Sequence, residues 1–387
     1  MTSEEKKQGT EVKVGEATVV VPAGWQSLHN HTTRSDGELD AAEFLECARA
    51  QGAGVVAFTD HDALPRPEDV AALRRTAGCA WVLGAEFSSG VTEACSAVHI
   101  VGLFLDPANA ALQAHCARVH AARLARVAKI ARGFASVGVA VTAEEILAHA
   151  SDDGSVGRPH IVEAVLATER NVGCLKRLAR HQAALVGASK EPRHGRRARR
   201  EVRDLLGAGA ALRRVVYPLC LTDDAAVAGV YHSMDYFLDV RAVGRLVHGA
   251  GGLAFLAHYP TCARQIPLDR LERYLRDGDL DGVETHWQHT LAARPGAAEL
   301  RQQLDAIVQR THCLVCGGGD IHTREALEHY AHSSASTTHL LQDILASGRV
   351  SADTLARTTS LLPPPPGETP VPCSEETEKE KETAMAS

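Results

Sequence analysis

The chain has 387 residues, of which 45% are hydrophobic and 4% aromatic, and its formal net charge is −7. This composition is typical of a folded protein with a sizeable core, and the absence of any run of about 18 apolar residues excludes a membrane-spanning helix of ordinary length. The N-terminal sequence MTSEEKK is charged where a secretory signal would be apolar, and the ten cysteines have no framework spacing, so we expect a cytoplasmic protein with free thiols.

Short apolar segments of strand length alternate with helical patterns from residue 17 onward. The predicted strands are WQSLH, GVVAF, AWVLGAEF, AVHIVGLF, LAFLA, DGVET and CLVCGG. The first predicted helix, DAAEFLECARAQGAG, has Asp40 as its N-cap and a glycine at its end. This alternation predicts an α/β protein built from βα units around a parallel sheet or barrel.

The alternation is interrupted between residues 108 and 235, where helical patterns follow one another without clear strands. We therefore expect an inserted helical domain (108–235) between two barrel parts (17–107 and 236–361). The insertion is basic, because residues 116–215 contain 19 Lys and Arg but 9 Asp and Glu. This charge is typical either of a solvated helical surface or of a surface that meets phosphates.

The two ends of the chain differ from the rest. Residues 1–16 are expected to form a flexible N-terminus. Residues 362–387 are rich in proline and then in charge, which predicts a disordered tail.

Potential metal ligands follow almost every predicted strand. Parallel strands in a barrel all end on one rim, so ligands that are distant in sequence would converge there. His29 and His31 are two residues apart, which on a strand directs both imidazoles to the same side, and Asp320 and His322 repeat this spacing. The candidates along the chain are His29, His31, Asp36, Asp60, His61, Asp62, Glu86, His99, His258, Glu284, Asp320 and His322.

The chemistry of these side chains limits the metals they suit. Imidazole and carboxylate ligands without thiolate favour zinc, manganese or ferrous iron over calcium or magnesium. More than one ion is expected, because a carboxylate can bridge two metals and a pair of ions can clamp both oxygens of a phosphoryl transfer.

Six motifs between about residues 25 and 330 resemble, in the same order, those of the PHP (polymerase and histidinol phosphatase) family: LHNHTTRSDG, FTDHD, GAEFS, VHIVGLFLD, LAHYP and GGGDIH. The resemblance implies a distorted (β/α)7 TIM-like barrel with three divalent metal ions per chain (Mn²⁺, Fe²⁺ or Zn²⁺). Two positions depart from the family pattern, Tyr259 between His258 and Pro260, and Gly319 in place of serine before Asp320.

The resemblance also implies how nine ligands divide among the three ions. His29, His31, Glu86 and Asp320 would hold one ion. Glu86 would bridge to a second ion, which His99 and His258 also hold. Asp36, His61 and His322 would hold the third.

Within the insertion, GRPHIVEAVL (157–166) resembles the Gly-Arg-Pro-His element of one PHP branch. That branch removes the 3′-phosphate of nucleotide 3′,5′-bisphosphates and trims RNA from its 5′ end. By this resemblance Arg158 and His160 would face the substrate phosphate. An arginine at a helix N-terminus is physically suited to that role, although it is also a common surface residue there.

The implied function is a metal-dependent phosphoesterase in which a metal-activated hydroxide attacks phosphorus. Its substrates would be nucleotide phosphate monoesters, such as 3′,5′-bisphosphates or AMP, or single-stranded RNA with a 5′-phosphate. Neither a membrane nor an obligate protein partner is expected.

Two alternatives and three residues stay open. The chain could instead be a histidinol-phosphate phosphatase, or an inactive scaffold or RNA-binding module whose insertion supplies the contacts. Asp60, Asp62 and Glu284 fit equally well as ligands and as residues that orient ligands.

Overall fold

The computed structural model describes residues 9–92, 95–151, 153–287, 296–333 and 337–364. The strands in these ranges are β1 (Thr10–Val14), β2 (Ala17–Val21), β3 (Trp25–Ser27), β4 (Ala53–Phe58), β5 (Ala80–Thr92), β6 (Cys95–Leu103), β7 (Leu238–Asp239), β8 (Leu253–Leu256), β9 (Gly282–His286) and β10 (Leu314–Gly317). All seven predicted strands are present, and the first helix begins after Asp40, whose carboxylate accepts a hydrogen bond from the backbone N–H of Glu43.

A mixed, mostly parallel sheet forms the centre of the protein. Its strands follow the order β10-β9-β8-β6-β5-β4-β3, and β7 pairs with β5 at the side. The pairs β3/β4, β4/β5, β8/β9 and β9/β10 are parallel. The segments that follow the two edge strands also meet, because Leu28 N–H donates to Gly317 O at 3.0 Å and Asn30 bridges to Ile321.

Strand β6 runs antiparallel to both of its neighbours, β5 and β8. The prediction that every ligand ends a parallel strand is therefore wrong for His99, which lies within β6 opposite Ser88 of β5. Glu86 likewise lies within β5, not at its end. The cause is a long hairpin, because β5 and β6 pair far beyond the ends of the shorter strands around them.

The helices cover the sheet and form a second body of structure. They are α1 (Ala41–Ala50), α2 (Pro67–Leu73), α3 (Ala110–Ser136), α4 (Ala143–Leu147), α5 (Arg158–Leu166), α6 (Glu169–Ala184), α7 (Arg196–Gly207), α8 (Leu212–Cys220), α9 (Val240–Gly249), α10 (Leu268–Arg276), α11 (Ala297–Thr311), α12 (Arg324–Ser333), α13 (Leu340–Ala346) and α14 (Ala352–Thr358). None of the described helices has the length and apolar character that crossing a membrane requires.

Helices α3 to α8 follow one another without a strand in the described residues between 110 and 220. Their apolar faces meet in a core of their own, which includes Phe134, Ile161, Leu175 and Leu219 and is separate from the clusters around the sheet. This is the stretch that the sequence assigned to an insertion.

At the N-terminus, Thr10–Val14 pairs in antiparallel register with Ala17–Val21, and Val12, Val14, Val19 and Val21 are buried. Most of the second half of the expected flexible N-terminus is thus strand β1, because alternating valines give this hairpin one buried face. Residues 1–8 and all but the first three residues of the expected disordered tail (362–387) lie outside the described residues, so those expectations stay predictions.

One buried ion pair joins α3 to the sheet. Arg123 donates Nε to Asp62 Oδ2 at 3.1 Å, and a second guanidinium nitrogen also contacts this oxygen. The same guanidinium donates to Val156 O and to Ser88 Oγ at 3.0 Å, and Asp62 accepts the Ser88 backbone N–H at 2.7 Å. Both side chains are almost fully buried, so the pair fixes the helix against β5 and against the segment before α5.

We expect Arg123→Met to lower the free energy of unfolding by about 3–5 kcal/mol, because it leaves the Asp62 carboxylate buried without its cation. Arg132→Met, an exposed position on the same helix, should change it by less than about 0.5 kcal/mol. Urea denaturation of the two variants checks this. Equal stability of both would show that the pair does not hold the helix in place.

Candidate metal centre

The nine residues predicted as metal ligands lie in one connected cluster. His29 and His31 follow β3, and His61 follows β4. Glu86 lies in β5, and His61 bridges to it as the chain leaves β4. The remaining positions are His99 in β6, Asp36 in the loop before α1, His258 after β8, and Asp320 and His322 after β10. Each of the nine has a ligand atom within 3.8 Å of a ligand atom of another.

The first predicted ligand set, His29, His31, Glu86 and Asp320, is closely spaced. His29 Nε2 and His31 Nε2 are 3.2 Å apart, and each lies 3.3–3.4 Å from an oxygen of Glu86. Asp320 Oδ1 lies 3.2 Å from His31 Nε2 and 3.8 Å from His29 Nε2. Ligand atoms about 2.0–2.2 Å from a shared zinc ion would be separated by distances of this kind.

The second predicted set meets at the other oxygen of the same carboxylate. Glu86 Oε1 lies 2.9 Å from His99 Nδ1 and 2.9 Å from His258 Nε2, and these two nitrogens are 3.3 Å apart. Glu86 therefore contacts members of both sets, as a bridging carboxylate would.

The third predicted set is more open. His322 Nε2 lies 3.3 Å from Asp36 Oδ1, and His61 Nε2 lies 3.8 Å from Asp36 Oδ2. His61 is shared, because its Nδ1 is 2.7 Å from Glu86 Oε2. Within the described residues the groups whose spacing suits a metal are His31/Asp36/His61/His322, His29/His31/Glu86 and His61/Glu86/His99, so the groups overlap more than the predicted sets do.

Several atoms of this cluster lack ordinary hydrogen bonds, which is the observation that fits a metal. Asp36 Oδ1, His61 Nδ1 and Glu86 Oε2 are buried without a partner of hydrogen-bonding geometry, although the last two are only 2.7 Å apart. Leaving buried polar atoms unpaired costs free energy, and coordination to a cation would recover it. Imidazole nitrogens and carboxylate oxygens, with no thiolate among them, suit zinc, manganese or ferrous iron.

The electrostatics of the cluster keep its carboxylates ionised. Burial opposes this, but neighbouring imidazoles, led by that of His99, hold the pKa of Glu86 well below its usual range, and the pKa of Asp36 is lowered in the same way by His61 and His322. Burial lowers the pKa of His31 to about 3, so this imidazole is neutral. Ionised carboxylates and neutral imidazoles are the forms that bind metals.

Glu284 orients two of the candidate ligands. One oxygen of Glu284 lies 2.9 Å from His29 Nδ1, and the other accepts the backbone N–H of His258. An ionised carboxylate can only accept, so this contact places a proton on Nδ1 of His29 and directs Nε2 toward Glu86. Of the two roles the sequence left open, the geometry matches that of an orienting residue.

Asp60 organises the loop that carries His31 and Asp36. It accepts hydrogen bonds from Thr32 N–H at 2.8 Å and from Ser35 Oγ at 2.6 Å. Asp60 and Asp62 therefore lie on either side of His61 with different tasks, one binding the loop and the other binding Arg123.

The backbone at two candidate ligands is unusual. His258 and Asp320 have φ values of 26° and 46°, which L-residues other than glycine rarely adopt. The segment before Asp320 also approaches the first ligand closely, because a Cβ atom on Gly318 would lie 2.5 Å from His29 N. Glycine is therefore required there for Asp320 to reach His29.

The two departures from the family pattern leave the cluster in place. Tyr259 is buried and donates its hydroxyl to Ile266 O at 2.9 Å, away from the candidate ligands. Gly319 donates its N–H to Ser27 Oγ at 2.9 Å, which ties the end of β10 to β3.

The structure places Arg158 and His160 beside Asp36. A Cβ atom on Gly157, the residue before α5, would lie 3.5 Å from Asp36 Oδ2. His160 Nδ1 accepts the Gly157 N–H at 2.9 Å, so the neutral imidazole carries its proton on Nε2. Arg158 is exposed, and its guanidinium lies 5.9 Å from the ring centre of Tyr217.

Sequence reasoning missed Arg123, because nothing in its surroundings distinguishes it from the other arginines of a basic helix. Its role depends on Asp62, which is 61 residues away. The sequence had named Asp62 but could not name its partner.

No family model matches the chain. Over 133 residues it is 31% identical to a 3′,5′-nucleoside bisphosphate phosphatase of Chromobacterium violaceum and 31% identical to a 5′-3′ exoribonuclease of Haemophilus influenzae. Each alignment covers 34% of this chain and 46% or 47% of the relative, so the chain spans about half the length of these two proteins. It is 28% identical to a phosphoribosyl 1,2-cyclic phosphate 1,2-diphosphodiesterase of Eggerthella lenta over 302 residues, 77% of this chain and 94% of the relative.

Two solved structures have a similar fold. One is named as a metal-dependent phosphoesterase from Bifidobacterium adolescentis, with a TM-score of 0.56, 24% identity and coverage of 87% of this chain and 97% of that one. The other is an amidohydrolase from Chromobacterium violaceum with bound sulfate and no metal, with a TM-score of 0.54, 22% identity and coverage of 77% and 87%.

We expect Glu284→Gln to weaken binding of Mn²⁺ about 10- to 100-fold, because an amide cannot accept from both His29 and the His258 backbone. Glu299→Gln, on the exposed side of α11, is the matched control and should bind like the parent protein. Equilibrium dialysis against Mn²⁺ measures this. Identical affinity in both variants would mean that Glu284 does not orient the candidate ligands.

Proposed function

We propose that this chain, which belongs to the PHP family of phosphoesterases by its motifs and its relatives, is a metal-dependent phosphoric ester hydrolase acting on nucleotide phosphate monoesters. The observation that carries the proposal is the single cluster of nine imidazole and carboxylate side chains around Glu86. A catalytically silent scaffold has no evident need for so many buried ionisable groups, because burying them is costly.

The nine clustered residues would hold three divalent ions in the sets given above. Such ions, when bound, lower the pKa of coordinated water and neutralise phosphoryl oxygens. The protein's own contribution is to keep the carboxylates ionised, to fix His29 through Glu284, and to bring Asp36 next to the N-terminus of α5.

Arg158 and His160 would position the substrate phosphate. Arg158 makes no ion pair in the described part of the chain, so its guanidinium is available to form a bidentate contact with a phosphate. The Nε2–H of His160 faces away from its bond to Gly157 and can donate to a phosphoryl or leaving oxygen. Backbone N–H groups at the start of α5 add a favourable field for an anion.

We assign the helices between residues 108 and 235 to a domain inserted into a distorted (β/α)7 barrel. Their separate core and the contact between the segments after β3 and β10 support this arrangement. The domain brings Arg158 and His160 over the cluster, which explains why a nucleotide-sized substrate would need it. Location in the cytoplasm stays a prediction.

The relatives favour two kinds of substrate. Two of them are named as enzymes of a nucleoside bisphosphate and of RNA, which agrees with the basic insertion and its exposed arginines on α7. The relative from Eggerthella lenta, aligned over most of both chains, is named as a diesterase of a cyclic phosphate, so a cyclic phosphodiester is the second candidate.

Asp36→Asn should reduce phosphate release by about 10²-fold or more, since it removes a charged candidate ligand that contacts His61 and His322. Glu46→Gln, an exposed carboxylate on α1, serves as the control and should retain the parent rate. The assay is phosphate release with added Mn²⁺, together with thermal melting of each variant. Full turnover by a folded Asp36→Asn protein would remove Asp36 from the mechanism.

A Mn²⁺-supplemented substrate panel tests the substrate class. It contains adenosine 3′,5′-bisphosphate, AMP, 5′-phosphorylated RNA, a cyclic phosphodiester and histidinol phosphate. The proposal predicts the highest kcat/KM among the first three compounds. Faster turnover of histidinol phosphate or of the cyclic diester would assign the enzyme to that substrate instead.

A further inference from the structure

A buried arginine next to the candidate site has no partner. Arg126 lies on α3 and is 7% exposed. Its Nε is buried without a hydrogen bond, and its guanidinium forms no ion pair with any described residue. A buried cation without a counter-charge is costly, so this guanidinium requires an explanation.

The charges around Arg126 are mostly of the same sign. Arg123 lies three residues earlier on the same helix face, about 4.5 Å along the axis, and Arg158 is the nearest cation of α5. Arg123 is already satisfied by Asp62, Ser88 and Val156. The two guanidinium groups that remain, those of Arg126 and Arg158, have no carboxylate between them.

The state of Arg126 follows from this environment. Burial, followed by repulsion from Arg123, lowers its pKa to about 10. It is therefore still a cation at neutral pH. A protonated, desolvated guanidinium is a strong receptor for a phosphate, because its planar fork matches two phosphoryl oxygens.

Arg126 is also well placed relative to the candidate metal centre. Arg123, on the same face of α3, is held by Asp62, the residue after His61. Arg158 begins the helix whose N-cap residue lies against Asp36. Both neighbours of Arg126 are thus attached to the side of the centre formed by Asp36 and His61, and an anion at Arg126 would lie beside the reacting phosphate, not on the metal cluster.

We propose that Arg126, together with Arg158, binds a second phosphate of the substrate that is not hydrolysed. Arg126 is then a specificity-determining residue that selects substrates with two phosphates over those with one. This rests on the proposed function, because it assumes that the substrate's other phosphate reacts at the cluster around Glu86.

The test compares Arg126→Met, which keeps the length of the side chain but not its charge, with Arg132→Met, the exposed control on the same helix. The substrates are adenosine 3′,5′-bisphosphate and the 3′- and 5′-monophosphates, assayed with Mn²⁺. Loss of one charge-assisted contact should lower kcat/KM for the bisphosphate about 10- to 100-fold more than for the monophosphate that is hydrolysed. Equal losses on both substrates, or no loss, would overturn the proposal.

A binding measurement separates this proposal from the proposed function. Adenosine 3′,5′-bisphosphate is titrated by calorimetry into the full-length chain in the presence of EDTA, where no turnover occurs. Affinity at least tenfold weaker for Arg126→Met than for Arg132→Met supports the subsite even if no phosphoester is hydrolysed. Equal affinities would refute it. If Arg126→Met does not fold, Arg126→Lys decides both assays, since it keeps the charge but loses the planar fork and should give a smaller loss of the same sign.

Discussion

The structure depends on one buried carboxylate. Glu86 is fully enclosed in β5 and contacts imidazoles that reach it from four other segments of the chain: His29 and His31, His61, His99 and His258. So many ionisable groups cannot share a desolvated space unless their charges are compensated. The antiparallel β5/β6 hairpin, the short strands that end beside it and the loops that follow them all serve to bring these groups together, and divalent cations are the simplest species that satisfies them.

Residues that never touch a metal set the geometry of those that would. Asp60 gathers the loop of His31 and Asp36, Glu284 fixes His29 and the backbone of His258, and the absence of a side chain at Gly318 lets the end of β10 approach β3. The buried pair of Asp62 and Arg123 extends this support to the inserted helices. The metal cluster and the surface proposed to bind phosphate are therefore parts of one connected arrangement, and a change at Asp62 should be felt by both.

Much of the site could be predicted because strand periodicity is a local property. The spacing of His29 and His31, and of Asp320 and His322, already directs each pair to one side. The antiparallel direction of β6 could not be predicted, because strand direction depends on pairing partners distant in sequence and not on the apolar pattern of VHIVGLF. Arg123 and Arg126 were missed for a similar reason: in a helix rich in arginine, only the tertiary neighbours of a residue show whether its charge is paired.

The measurement that tests the central claim most directly is the manganese content of the purified chain and of its Glu86→Gln variant, determined by elemental analysis after gel filtration in Mn²⁺-free buffer. If Glu86 joins two ion sites, the parent chain retains more than one manganese ion and the folded variant loses most of it. A parent chain that retains none, or a variant that retains as much as the parent, would contradict the assignment of this cluster as a metal centre.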